Sequence, residues 1–480
     1  MANATRLGAV LLGSTLLLAC SSASDDPAKG AAGASGAGAT GTGGDAGSAG
    51  SGGGSAGGGQ GGAAGFAGAA GGSAGMGAGA GAGGSAGSGG SAGSGGAPTT
   101  GCGAKGVSAA FDCLVPPGFP NSTTTGLLTP VSSLKVHNGN YVTTKAGEVI
   151  ENMLITGGID IKHANVTVRN CRVYGSQFSA ITIRAAGALV EDSEIGLEGS
   201  YAVLTKAVSP GATQIEVDKP VPVGAYLLLS SQGASLQTLR VTASKGSGPY
   251  TLSLERHYTQ NQNGTVTIVT GPPNIKATHP VGATISSYDP KTSAVLPGNG
   301  LSATGQFQRT IRRCNIHHVN DGFKMDDGLY VDNYVHEQIY IPPAHLDSVQ
   351  STRGKDAILR HNSLVLTVDA NGIQLAANQG ALTNLTMDYN YVAGGGFSLR
   401  WGVDGGVLRH NRFGRDAAFG PVVIYGGGKL DDVRDNRYSD DGAVVYTGND
   451  KNFGDRDGDG SGTGNAWGTG YDPKYKLPGN

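Results

Sequence analysis

From residue 150 onward a short pattern recurs, and it constrains what this 480-residue chain can fold into. It reads Val168-Arg-Asn-Cys171-Arg-Val173, Val190-Glu-Asp-Ser193-Glu-Ile195 and Ile311-Arg-Arg-Cys314-Asn-Ile316. It continues as Tyr330-Val-Asp-Asn333-Tyr-Val335, Leu359-Arg-His-Asn362-Ser-Leu364 and Met387-Asp-Tyr-Asn390-Tyr-Val392. Leu408-Arg-His-Asn411-Arg-Phe413 and Val433-Arg-Asp-Asn436-Arg-Tyr438 complete it, and outside one large gap the copies start 19 to 29 residues apart. Strands this short cannot bury a face alone. Stacked as turns of a coil, each buries its apolar residues against the next. The fourth position is Asn in the last five copies. Asn accepts and donates at a bend, and stacked Asn side chains form an internal ladder. The helix signature and Leu spacing of leucine-rich repeats are absent. The expectation is an all-β chain folded as a right-handed parallel β-helix.

The repeats resemble those of the pectate-lyase-like superfamily and of secreted bacterial β-helix proteins, over about residues 115–198 and 273–450. The gap between Ser193 and Cys314 holds other material. Strand-like runs at 213–217, 225–229, 239–241, 250–254 and 266–269 are separated by turn signals such as Pro210-Gly211 and Asn263-Gly264. They predict a small antiparallel β domain inserted between rungs, either crowning a groove or elaborating the surface without a role. The expected divisions are a signal at 1–19, a linker at 20–100, β-helix at 101–198, insertion at 199–272, β-helix at 273–450 and a tail at 451–480.

The segments Asp321-Gly-Phe-Lys324, Asp347-Ser-Val-Gln350, Asn371-Gly-Ile-Gln374 and Gly395-Gly-Phe-Ser398 also line up. Strand alternation places Phe323, Val349, Ile373 and Phe397 inside, and Lys324, Gln350, Gln374 and Ser398 in one outward column. Asp326, Thr352 and Arg400 are expected two residues past that column on the same face. Asp321, Asp347 and Asn371 form a further row, which faces solvent only if the chain bends there. A polar stripe on rigid strands suits a long polar polymer better than a small apolar ligand. Asp, Asn and Gln hydrogen-bond sugar hydroxyls, while Lys324, Arg353 and Arg400 hold carboxylates. An ordinary solvated sheet face is the bland alternative.

The resemblance implies a chemistry. In β-eliminating enzymes of that superfamily the substrate carboxylate is neutralised, often by Ca²⁺, and a base removes the proton α to it. His345 is the natural base at neutral pH. Lys324 or Arg353 then neutralises the carboxylate, Asp321 and Asp347 position substrate or cation, and Gln350, Gln374 and Arg400 bind substrate. The His317, His318, Asn320 and Asp321 cluster crowds the neighbouring rung, and a metal site from His345, Asp347 and Asp321 is a weaker alternative. The characteristic lyase motifs do not map onto these positions. The Gly-His-Gly of polygalacturonases is absent, and Asp326 and Asp327, being adjacent, face opposite ways on a strand. Elimination therefore ranks above hydrolysis, with C5 epimerisation left open because it shares the proton abstraction. The alternative of another class is a non-catalytic carbohydrate-binding or adhesive β-helix, with Trp401 and Tyr425 as stacking candidates or corner residues.

An apolar run from Leu7 to Leu18, preceded by Arg6, ends in Leu17-Leu18-Ala19-Cys20. It is too short for a stable spanning helix and has the shape of a secretory signal. Its last four residues resemble a bacterial lipoprotein signal with Cys20 as the lipidated residue; a general export signal with an incidental cysteine is the alternative. The Gly/Ala/Ser tract from about Ala31 to Ala97 offers nothing to bury and reads as a flexible tether of roughly 50 Å reach. The expected location is the bacterial cell envelope, lipid-anchored and facing periplasm or exterior, as a monomer with a polysaccharide partner. A net charge of −2 without basic runs argues against nucleic acid. In that oxidising setting Cys102 and Cys113 are expected to pair, while Cys171 and Cys314 read as core residues. Near the end, Asp455, Asp457 and Asp459 before Gly460 resemble half of a Ca²⁺ loop, although position 466 is Ala where such loops finish with Glu. A flexible acidic tail is the alternative there.

Overall fold

The chain divides into two units, Met1–Gly95 and Gly96–Asn480. The computed structural model describes residues 111–445, apart from 176–177, 230–237, 263–264, 274, 276–277, 291–297, 306, 342–345 and 367–370, all within the second unit. Three parallel sheets coil around one apolar core as a right-handed parallel β-helix. Among the described residues, sheet I has ten strands, from Lys135–His137 to Arg437–Tyr438. Sheet II has nine, from Tyr141–Val142 to Gly420–Ile424. Sheet III has ten, from Val149–Glu151 to Asp432–Arg434, including the short Gly354–Lys355. One turn of the coil runs through Arg309–Arg312 of sheet III, Asn315–His317 of sheet I and Phe323–Met325 of sheet II. No helix among the described residues is long and apolar enough to cross a membrane.

Each position of the six-residue pattern has its own place in this coil. The first and sixth residues, such as Ile311 and Ile316, point into the core, and both are fully buried. The third residue turns the corner between sheets III and I in the left-handed backbone region. Asn170, Asp192, Arg313, Asp332, His361, Tyr389, His410 and Asp435 all have φ between 46° and 56° there. For residues other than Gly, Asn and Asp this costs about 1–2 kcal/mol each. The fourth residue offsets it. Asn333 Nδ2 donates to Asn362 Oδ1 at 2.9 Å, Asn362 to Asn390 at 2.9 Å, Asn390 to Asn411 at 3.0 Å and Asn411 to Asn436 at 2.9 Å. Each Oδ1 also accepts the backbone N–H of the rung before, so this fully buried column is satisfied. Cys171, Ser193 and Cys314 occupy the same column. Their side chains donate to carbonyls instead, Cys171 Sγ to Ile150 O at 3.5 Å and Cys314 Sγ to Val190 O at 3.7 Å. Both thiols are free and buried, and burial pushes them up to about 11 and about 12.

Among the described residues, the gap in the repeat is filled by a seven-stranded antiparallel sheet with its own apolar core. The five expected runs are its strands Gln214–Val217, Tyr226–Leu229, Thr238–Lys245, Tyr250–Gln262 and Thr265–Gly271. Ser200–Val203 and Thr284–Tyr288 complete it, the latter past the expected end at residue 272. The insertion lies over sheet I: Tyr226, Leu228 and Tyr288 pack with Tyr334, Val365 and Tyr391. A strap from Phe111 to Leu134 covers more of that face. Phe111, Val115 and Phe119 join the same apolar cluster, Tyr391 Oη donates to Leu114 O at 2.9 Å, and His361 Nε2 to Gly118 O at 2.8 Å. Farther along, Gly126 N bonds Arg313 O at 2.8 Å and Leu128 N bonds Asn170 Oδ1 at 2.8 Å. The strap thus runs back along the coil to the first rung. Cys113 within it is disulfide-bonded, and its expected partner Cys102 lies outside the described residues.

Candidate functional site

Sheet I is covered by the strap and the insertion, and the polar stripe lies on the outward face of sheet II. Its strand register sets Asp160, Thr182, Ser302, Lys324, Gln350, Gln374, Arg400 and Val423 in one row. Neighbours in this row are one rung apart, roughly 4.8 Å. The row corrects one expectation. Leu399, not Phe397, stacks over Ile373, so Arg400 takes the place assigned to Ser398. Ser398 is buried and its Oγ donates to Gly394 O at 2.9 Å. Phe397 and Leu399 share a strand parity, so alternation alone does not choose between them.

The charged members differ in what they already hold. Lys324 Nζ lies 3.0 Å from Asp321 Oδ2. Gln350 Nε2 donates to Asp347 Oδ2 at 3.1 Å, and the Asp347 N–H donates to Asp321 Oδ1 at 2.8 Å. Asp321 and Asp347 are buried at the strand starts, yet their carboxylates reach the outward row rather than the apolar core. They brace Lys324 and Gln350 from below. Asn371 follows Asp347 in register. Arg353 Nε is 3.1 Å from Asp326 Oδ2, which also accepts Gly305 N–H at 2.6 Å. Asp327 turns the other way onto Arg309 at 2.8 Å, and burial raises its carboxyl above the usual range. Arg400 is different. It is half-buried, its guanidinium lies 4.6 Å above the exposed Tyr425 ring, and no carboxylate among the described residues pairs with it. By contrast Arg353, Arg360, Arg409 and Arg412 each meet one. Trp401 is a core residue, fully buried, with Nε1 donating to Lys429 O at 2.8 Å.

His345, Asp455, Asp457, Asp459 and Cys20 lie outside the described residues. Among the described residues no group of three or more His, Cys, Asp or Glu side chains is arranged to hold a metal ion.

His317 and His318 belong elsewhere, beneath the insertion. His317 Nε2 meets Glu194 Oε1 at 2.9 Å, and the two Nδ1 atoms meet at 2.8 Å. His318 Nε2 meets Ser286 Oγ of the insertion at 2.8 Å. His317 Nε2 is met by both the Glu194 carboxylate and, at 3.3 Å, the Arg172 guanidinium, so the two histidines sit in one continuous polar chain from Arg172 and Glu194 to Ser286. Burial holds His317 down to about 4 and His318 to about 3. Burial would raise Glu194, but Arg172 at 3.1 Å and His317 bring it to about 2. His318 and Glu337 end their sheet I strands with φ of 52° and 47°, where other rungs use Gly196 or Gly394. In sequence the cluster shows only as crowding the rung beside the stripe, and its burial beneath the insertion has no evident signal there.

No family model matches the chain, and no curated protein matches it. Among solved structures it is similar to the tailspike protein gp49 of Pseudomonas phage LKA1, at 11% identity and a TM-score of 0.21, over 60% of this chain and 53% of that one. The Gp54 tailspike of Acinetobacter baumannii bacteriophage AP22, solved with A. baumannii capsular saccharide, gives 11% identity and 0.21 over 64% and 53%. The tailspike gp61 of Pseudomonas phage phi297 gives 11% and 0.17 over 66% and 70%. The match thus spans about half the length of the first two. At TM-scores this low the likeness carries no weight for function, and the β-helix is defined by its own strand pairing.

Proposed function

We propose that this chain binds an acidic polysaccharide along sheet II. The observation that carries the reading is Arg400: a half-exposed guanidinium stacked on Tyr425, without a carboxylate partner among the described residues, in register with Gln374, Gln350 and Lys324. A planar, always-charged fork on an aromatic ring suits a uronate carboxylate, and the glutamines suit hydroxyls. Retention of the purified chain on immobilised polygalacturonate, alginate or hyaluronate tests it. Arg400→Ala is expected to weaken retention about tenfold with the unfolding midpoint unchanged; equal retention by both proteins sinks the reading.

The narrower form is β-elimination, with His345 as base and Lys324 or Arg353 on the carboxylate. It is supported by sequence proximity, since His345 precedes Asp347 by two residues and Lys324 pairs in register with Gln350. Against it stands the engagement of both cations, Lys324 with Asp321 and Arg353 with Asp326. That favours the second reading, a binder without turnover. Ultraviolet absorbance of unsaturated sugars, followed with Ca²⁺ or a chelator, separates the two. Ca²⁺ held by Asp455, Asp457 and Asp459, and anchoring through a lipidated Cys20, belong to the same proposal and place the polymer outside the cytoplasm.

A further inference from the structure

Beside the last described strand of sheet II, the loop from Gly414 to Phe419 opens a hollow that the row of polar residues does not include. It is a cavity of about 320 Å³ whose walls include Arg415, Ala418, Phe419, Pro421 and Tyr438. The loop is held on the rung below by backbone bonds, Ala418 N to Gly395 O at 2.9 Å and Phe419 N to Gly396 O at 2.7 Å. Gly395 is itself pinned against the rung before it: its φ is 83°, and a Cβ there would lie 2.8 Å from Gly372 N. The result is a rigid seat for Phe419, whose side chain is nonetheless left in solvent, 76% exposed. Its ring tilts against Phe397 at 5.7 Å. An ordered, exposed aromatic beside a hollow of small residues is a platform for a flat apolar face.

The opposite wall supplies polarity. Arg415 lies 3.8 Å above the Tyr438 ring and donates through Nε to Asp440 at 2.7 Å and through Nη2 to Asp441 at 2.5 Å. Its charge is more than offset by those two carboxylates, while Nη1 bonds no acceptor among the described residues. A neutralised guanidinium with a spare donor suits an uncharged hydroxyl or ring oxygen better than a carboxylate. The hollow is continuous with sheet II, because Gly420 pairs with Phe397 on the strand whose Val423 pairs with Arg400. Three residues separate these positions, about 10 Å along a strand.

We propose that this hollow is a subsite for one uncharged pyranose ring of the polymer on sheet II, the C–H face of the sugar lying on Phe419 and Arg415 Nη1 donating to a sugar oxygen. It rests on the reading of sheet II as a polysaccharide face, and it adds that the polymer carries neutral as well as acidic sugars. The test measures affinity of the full chain and of Phe419→Ala and Phe419→Trp for the retained polymer among hyaluronate, alginate and polygalacturonate. Phe419→Ala is expected to weaken binding roughly 3- to 10-fold, and Phe419→Trp to keep it. Because Phe419 is exposed, the unfolding midpoint should not move in either variant. If the unaltered chain binds and Phe419→Ala binds equally well, the subsite is overturned while the sheet II reading stands. If the unaltered chain binds only all-uronate polymers, the neutral-sugar assignment fails. Should none be retained, the sheet II reading falls and the subsite with it.

Discussion

At the scale of single residues, the fourth position of the repeat does most to hold the coil together. Asn390 bonds Asn362 and Asn411 and two carbonyls, Leu359 O at 3.0 Å and Asp388 O at 3.2 Å, with no exposure to water. Asn390→Ala strands those partners in a dry interior, where an unmet group costs about 1–3 kcal/mol. Urea unfolding should show a loss of roughly 3–5 kcal/mol. Cys314→Ser should stay within about 1 kcal/mol, because Ser193 already serves the same column one rung away. The ladder was legible in sequence because Asn recurs at a fixed place. The left-handed corner before it left a weaker signal: six of its eight residues are Asn, Asp or His, types enriched in that backbone region, while Arg313 and Tyr389 are not.

At the scale of elements, the covering of sheet I leaves the outward faces of sheets II and III open. The outward residues of its middle rungs, Asn315, Tyr334, Ser363 and Tyr391, are buried by strap and insertion. The insertion was visible in sequence as strand runs between turn signals, but not where it docks, because Tyr226, Leu228 and Tyr288 read as ordinary strand residues. The contact carries a pH dependence. His317 and His318 stay neutral when folded, whereas unfolded imidazoles protonate near pH 6.5. Below that pH the unfolded chain binds more protons, so stability falls as pH drops from about 6.5 toward 4. Glu194, held near 2, extends the loss below pH 4.5, where the unfolded carboxyl protonates and the folded one does not. The unfolding midpoint should fall by several degrees between pH 7 and 4. His318→Asn, which tolerates the left-handed backbone, should flatten the part of that slope above pH 4.5. An unchanged slope would remove the histidines from the account.

At the scale of the whole molecule, a stack of similar rungs is stabilised mainly by each neighbour, with little contact between distant turns. The strap and the insertion are exceptions: the strap alone touches Asn170, Arg313, His361 and Tyr391 on four different rungs. Tyr391→Phe removes its bond to Leu114 and should cost about 1 kcal/mol. Amide exchange should quicken along 111–119 while the ladder amides keep their protection; uniform quickening would mean the strap and the coil open as one. Distant rungs are thus coupled by a segment that carries no copy of the repeat, which is why the sequence pattern did not reveal it.

The direction of that strap bears on the order of assembly. Its first residues sit against Tyr391 and His361, some 240 to 280 positions later in the chain. A ribosome releases the strap long before it makes the rungs on which the strap rests. A segment made before any rung is therefore among the last to find its place, and until then sheet I is open at the seam where an unfinished chain is most exposed to its neighbours.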